Sequence, residues 1–178
     1  MRHSQHLSPL STEPAPSSRL RPRTWLPFVI AAGVLLVDQV TKSLAESRLD
    51  GPTHVIGPIG FGLTYNSGSA FSLFQGSAAL LAIFDVLLAI VIAVIAVRVR
   101  RPGLQVGLGM MLGGALGNLA DRLVRGHHGQ VVDFITLSHW PTFNLADAAI
   151  DIGVLVVIIS LLMERRSSSE PKEADHAR

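Results

Sequence analysis

Four stretches of this 178-residue chain are long and apolar enough to cross a bilayer, and they limit what it can fold into. A helix needs roughly 20 mostly apolar residues to span about 30 Å of hydrocarbon. In that medium every backbone N–H and C=O must find its partner within the protein. The stretches run from about Trp25 to Leu44, Ser77 to Val97, Leu104 to Leu123 and Phe143 to Met163. Charged residues make up 16% of the chain and gather at its ends and in the breaks between stretches. A soluble domain carries about 25%. The expected fold is a membrane all-α unit of four transmembrane helices.

The first stretch follows arginines, as a signal peptide does, but Asp38, Gln39 and Lys42 stand where a small-residue cleavage site would follow. It reads as an uncleaved helix. Residues 1–22 and 166–178 are Ser-, Pro- and charge-rich and are expected to be disordered tails flanking a membrane domain over residues 23–165. Between the first two helices, the Gly-rich segment Ala45–Gln75 carries short alternating runs such as FGLTY, which predict small strands and turns. The segment from about Val124 to Thr142 reads as a polar loop. Eleven of the 15 Lys and Arg fall before the first helix (Arg23 the last of them), in the Arg98–Arg101 break and from Arg165 onward. By the positive-inside rule both termini face the cytoplasm and the two longer loops face outward. The basic balance therefore reports topology, not a nucleic-acid surface. The absence of cysteine excludes disulfides, thiolate nucleophiles and zinc–cysteine sites.

Polar groups inside a membrane are costly and mark function by default. Asp38 lies 13 residues after Trp25, about 20 Å along helix 1 at 1.5 Å per residue. Asn118 reaches a similar depth on helix 3, with Asp121 and Arg122 one turn later. Asn144 and Asp147 stand at the start of helix 4, and Asp133 lies in the loop just before it. Segments distant in sequence thus bring carboxylates, amides and a guanidinium to one level. Carboxylates without a thiol or a serine base suggest aspartic protease chemistry. Two close carboxyls share a proton, so one can activate water while the other protonates the oxyanion.

The motifs resemble those of the lipoprotein signal peptidase (signal peptidase II) family across nearly the whole chain between the tails. DQVTK (Asp38–Lys42), NSGSAF (Asn66–Phe71), GGALGNLADR (Gly113–Arg122), VVDFI (Val131–Ile135) and FNLADAAI (Phe143–Ile150) stand in the family's order. The resemblance implies a catalytic dyad of Asp133 and Asp147. It implies site-supporting or substrate-binding roles for Asp38, Lys42, Asn66, Gly68, Asn118, Arg122 and Asn144. It further implies a prolipoprotein substrate bearing a diacylglyceryl cysteine, cut on the amino side of that cysteine, and sensitivity to globomycin. A small extracytoplasmic β-cradle and a lid-like second outer loop are expected, in a bacterial inner-membrane protein whose site faces outward. Membrane lipid is an expected partner and nucleic acid is not; the expected state is a monomer. No metal or cofactor is implied. The stretch RGHHGQ is a few residues longer than the family's usual loop.

Other readings stand beside these. Asp147 could simply favour a helix N-terminus, where the dipole stabilises an anion. Asp121 with Arg122 reads as a structural ion pair. Lys42 either snorkels to the interface or serves the site. Asp151, four residues after Asp147, reads as a neutral or paired group in a polar gap, and Asp85 has no partner identifiable from sequence. His127–His128 raises a metal reading, against which adjacent histidines point in different directions. Two other classes follow: an ion-coupled transporter using Asp38, Asp85 and Asp151, and a metal-dependent hydrolase using His127, His128 and Asp133. A structural adaptor would leave the polar cluster unexplained.

Overall fold

The computed structural model describes residues 25–49, 59–68 and 78–169. Of the tails expected to be disordered, residues 1–22 and 170–178 lie outside the described residues, as do parts of the Ala45–Gln75 segment, whereas residues 166–169 continue the last helix. Four long helices, α1 (Leu26–Arg48), α2 (Ala78–Arg98), α3 (Pro102–Val124) and α4 (Leu145–Ser169), carry three strands at one end of their bundle. The strands are β1 (Ile59–Asn66), β2 (Val131–Leu137) and β3 (Trp140–Phe143), in the order β1-β2-β3 and antiparallel throughout.

Helices α1, α2 and α4 are long and apolar enough to cross a membrane, with mean hydropathies of 1.6, 3.1 and 2.4 over their best windows. Only 17–22% of each window is buried, so their apolar side chains point outward, as a lipid solvent requires. The remaining helix, α3, has the same length but is diluted by glycine and by Gln105, Asn118, Asp121 and Arg122. It can carry them because it packs against all three of the others.

Glycine makes that enclosure possible. Gly109, Gly113 and Gly117 recur every fourth residue and face α1; a Cβ on Gly109 would lie 2.7 Å from the carbonyl oxygen of Pro27. On another face, a Cβ on Gly114 would lie 2.4 Å from the carbonyl oxygen of Ala146, and Gly107 meets Gly153 of α4. Lipid tails offer no hydrophobic drive for helix association, so close backbone approach supplies the packing. The small-residue core completes it: Ala31, Ala89, Ile92, Ala96, Leu108, Leu112 and Ala115.

Two expectations are corrected. The segment read as a polar loop, Val124–Thr142, contains both β2 and β3. Its β-branched run VVDFIT pairs with β1, with Thr64 opposite Asp133 and Asn66 opposite Val131. An isolated strand is not stable, and β1 takes its partner from this second loop rather than from its own segment. Helix α1 also runs to Arg48, a turn past the expected Leu44, because Lys42 and Ala45 remain buried against the bundle. Where its end meets the sheet lies an apolar groove of about 340 Å³ lined by Thr41, Leu44, Ala45, Arg48, Leu49, Phe61 and Phe134.

Candidate active site

The β2–β3 hairpin places the site. It turns at Ser138–His139, pairs Ile135 with Phe143, and returns the chain to the base of β2 just as α4 begins. Asn144 is the residue before α4. Its side-chain oxygen accepts the N–H of Asp147 at 2.9 Å, and the Asp147 carboxylate accepts the Asn144 N–H at 3.3 Å. This is a reciprocal capping box, which satisfies two donors that a helix start leaves open. A third, the N–H of Ala146, is met from α1 by Asp38 Oδ1 at 2.9 Å. The cap reading of Asp147 is thus correct and coexists with its place in the cluster.

With its oxygen committed to the cap, the Asn144 amide must turn its NH₂ outward. It donates to Asp133 Oδ1 at 2.6 Å and to Asn118 Oδ1 at 3.3 Å. Asn66 is oriented the same way. Its oxygen accepts the N–H of Gly68 at 2.8 Å, and its NH₂ donates to Asp133 Oδ2 at 2.9 Å. Gly68 has φ +78°, a left-handed conformation that glycine adopts without strain. Asn118 completes the set: its oxygen accepts from Lys42 Nζ at 3.2 Å, and its NH₂ donates to Asp147 Oδ1 at 2.8 Å. Three asparagines from three elements therefore each turn donors toward one of two carboxylates, Asp133 on β2 and Asp147 on α4.

Asp133 is 1% exposed. Burial pushes its carboxyl up, and the Asp147 charge pushes it further; the Asn66 and Asn144 amides and the Lys42 ammonium oppose them. The outcome is a pKa of about 6. Asp147, by contrast, lines a cavity of about 300 Å³ with Asn66, Gly68, Asp85, Asn118 and Arg122 on its polar side. Leu80, Leu81, Phe84 and Val131 form the apolar side.

Behind the asparagines lies a buried ionic triad. Lys42 Nζ reaches Asp38 Oδ2 at 2.9 Å and Asp121 Oδ2 at 2.8 Å, all three side chains fully buried. Lys42 therefore does not snorkel. Asp121 Oδ2 also accepts the N–H of Val132 at 3.0 Å, tying β2 to α3 one residue from Asp133. The expected Asp121–Arg122 pair does not form. Neighbours in a helix point about 100° apart, so Asp121 turns to Lys42 and to Arg125 Nε at 3.0 Å. Arg122 turns instead to Asp85 Oδ2 at 2.7 Å.

Sequence reasoning missed four contributors. Asp85 supplies the partner of Arg122; the signal was a carboxylate in a helix otherwise apolar up to its last residue, Arg98. Gln39 donates to Asp121 Oδ1 at 2.9 Å and to the carbonyl of Gly117 at 3.1 Å. Arg125 and Glu46 pair with each other, and Glu46 also holds His127 Nε2 at 2.6 Å. That contact, with Tyr65 against the His127 ring, accounts for His127. His128 is exposed, and the described residues contain no cluster of three or more His, Asp or Glu suited to a metal. Asp151 is exposed on α4 and does not fill an internal polar gap.

Comparison with known proteins identifies the family. Residues 30–163 match the family model described as signal peptidase (SPase) II. The chain is 41% identical over 148 residues to the lipoprotein signal peptidase of Pelotomaculum thermopropionicum, covering 80% of this chain and 95% of that one. It is 38% identical over 172 residues to that of Mycobacterium avium, covering 92% and 94%. It also superposes on a bacterial membrane enzyme solved by the in meso method, with a TM-score of 0.71, 29% identity and coverage of 83% and 93%. A second such structure gives a TM-score of 0.68 at 30% identity, covering 76% and 92%. The chain belongs to the signal peptidase II family of membrane peptidases.

Proposed function

We propose that this peptidase removes the signal peptide from diacylglyceryl-modified prolipoproteins, cutting on the amino side of the lipidated cysteine, with Asp133 and Asp147 as its catalytic pair. The observation that carries the reading is the convergence of Asn66, Asn118 and Asn144 on those two carboxylates at one end of an apolar bundle. In this reading all four helices cross the bacterial inner membrane, both termini are cytoplasmic, and the sheet lies at the outer face. The cavity wall of Leu80, Leu81 and Phe84 opens toward lipid, from which a lipidated substrate arrives.

Asp133 is the member that holds the shared proton, because burial and the neighbouring Asp147 favour its neutral form. Asp147, ionised and facing the cavity, takes a proton from water as the water oxygen bonds to the scissile carbonyl carbon. Asp133 gives its proton to the carbonyl oxygen; the entering peptide displaces the Asn66 amide to reach it. The tetrahedral intermediate then collapses. Its C–N bond breaks, the proton held by Asp147 passes to the departing nitrogen, and a hydroxyl proton returns to Asp133. Asn118 and Asn144 hold the pair at its working spacing. Arg122 and Asn66 line the path of the peptide. Asp38 and Lys42 support the asparagines from behind.

The test is cleavage of a synthetic prolipoprotein by the purified chain in detergent, with and without the diacylglyceryl group. Cleavage of the lipidated form alone, lost in Asp133→Asn and in Asp147→Asn and unaffected by a chelator, is the expected result. A folded wild type that leaves the lipidated form intact overturns the reading. Chelator-sensitive cleavage would point to the metal hydrolase instead.

A further inference from the structure

Asp85 is a carboxylate that none of the family's motifs contains. It stands seven residues into α2, about 10 Å from the sheet end, in a helix of otherwise apolar side chains up to Arg98. A charge there is costly unless paired. Its partner is Arg122 Nη1 at 2.7 Å, with the Asp85 and Arg122 side chains 15% and 10% exposed. Both line the same cavity as Asp147.

The guanidinium is only partly satisfied. Nη1 also donates weakly to the Asn118 carbonyl at 3.4 Å, but Arg122 Nε is buried without a partner among the described residues. A buried donor without an acceptor is costly, so this cation takes any carboxylate it can reach. The charged groups that line its cavity are Asp85 on α2 and Asp147 on α4, with Asp133 on β2 and Lys42 on α1 in the cluster beside Asp147. Lys42 is already held between Asp38 and Asp121. Asp133 is buried among the asparagines, which leaves Asp85 and Asp147 as the two acceptors facing the cavity.

We propose that Asp85 is a positioning residue for the peptidase reaction, which engages Arg122 and so keeps its guanidinium off Asp147. The inference rests on the catalytic reading above. Were Arg122 to pair with Asp147, it would cover an oxygen that must accept the proton of water. It would also neutralise the charge that helps keep Asp133 protonated. Asp133 would then lose its proton at lower pH, and the active singly protonated pair would become scarce at neutral pH.

The experiment measures kcat and KM across pH for the full chain in detergent on lipidated prolipoprotein. Variants are Asp85→Asn, Asp85→Glu and the double Asp85→Asn/Arg122→Gln. For Asp85→Asn, kcat at pH 7 should fall about tenfold, the consequence of a one-unit fall in the Asp133 pKa. The alkaline limb of its profile, where Asp133 loses its proton, should move toward acid, with KM changed less. Asp85→Glu should restore the wild-type profile. The double variant has no arginine to stray and leaves no unpaired buried charge. Its activity should be lower, but its profile should lie at the wild-type position, even if Asp85→Asn alone folds poorly. A folded Asp85→Asn with the wild-type profile, or a double variant whose profile is displaced toward acid, overturns the proposal. A purely structural Asp85 would lower thermal stability and leave the profile of the folded enzyme in place. Failure of wild type to cleave would sink the catalytic reading itself, a separate outcome read before any variant.

Discussion

Lys42 donates to Asn118 Oδ1 at 3.2 Å, and that contact decides which way round the Asn118 amide lies. An ammonium can only donate, so the amide oxygen faces it and the NH₂ is left for Asp147 at 2.8 Å. A lysine that never touches the substrate cavity thereby sets the donor on one of its carboxylates. Lys42→Met should cost about 3–5 kcal/mol, because Asp38 and Asp121 would be left buried without their cation. Thermal unfolding in detergent measures this. Adding Asp38→Asn and Asp121→Asn to Lys42→Met should recover part of the stability but not the cleavage, since Asn118 would still be free to turn over.

Asn144 has two duties that substitution can separate. Its oxygen caps α4, and its NH₂ bridges to Asp133. Serine caps a helix about as well as asparagine. Asn144→Ser should therefore keep the cap and lose about 1–3 kcal/mol of stability, from the buried bridge to Asp133. Cleavage should fall by about 10² or more, as for loss of a group that sets proton transfer. A folded variant that cleaves like wild type would show that the bridge adds nothing to cleavage.

Asp133 ties stability to pH. In the unfolded chain it titrates near 3.8, and in the fold near 6. A raised carboxyl contributes stability that is complete below about pH 4 and is lost as pH rises through 6. Asp133→Asn cannot ionise and escapes this loss. The stability of the variant relative to wild type should therefore increase between pH 4 and 6.5, by up to about 3 kcal/mol, while its cleavage is nil. A difference in melting temperature that stays flat across that range would contradict the assignment.

Gly114 and Gly33 make a matched pair of substitutions to alanine. The Cβ at 114 would meet the Ala146 carbonyl at 2.4 Å, whereas at 33 it would meet nothing within 4 Å. Gly114→Ala should cost about 1–3 kcal/mol and, by pushing α4 away, should also depress cleavage. Gly33→Ala should be neutral or stabilise by up to about 1 kcal/mol through better helix propensity.

The helices were legible because apolar runs of bilayer length admit little else; the expected stretches coincide with α1 to α4 to within six residues at their ends, and α1, α2 and α4 are apolar enough to cross a membrane. The residues of the site were legible as a level in the bundle, since helical rise converts sequence distance into depth. Pairing was not. Whether Arg122 turns to Asp121 or to Asp85 depends on helix rotation and on which neighbour packs there, and no spacing within one segment reports that. Strands β2 and β3 were hidden for a related reason. The run VVDFITL gains its structure from β1, some 70 residues earlier, and without that partner its Asp and the preceding RGHHGQ look like loop.

The two carboxylates ride on separate bodies, Asp133 on the sheet and Asp147 on a helix. Their spacing belongs to the seam between those bodies rather than to either. That seam is crossed by Asn144, whose NH₂ holds Asp133 while its oxygen caps the helix that carries Asp147. A small tilt of the sheet on the bundle would therefore part the two carboxylates while leaving each body folded.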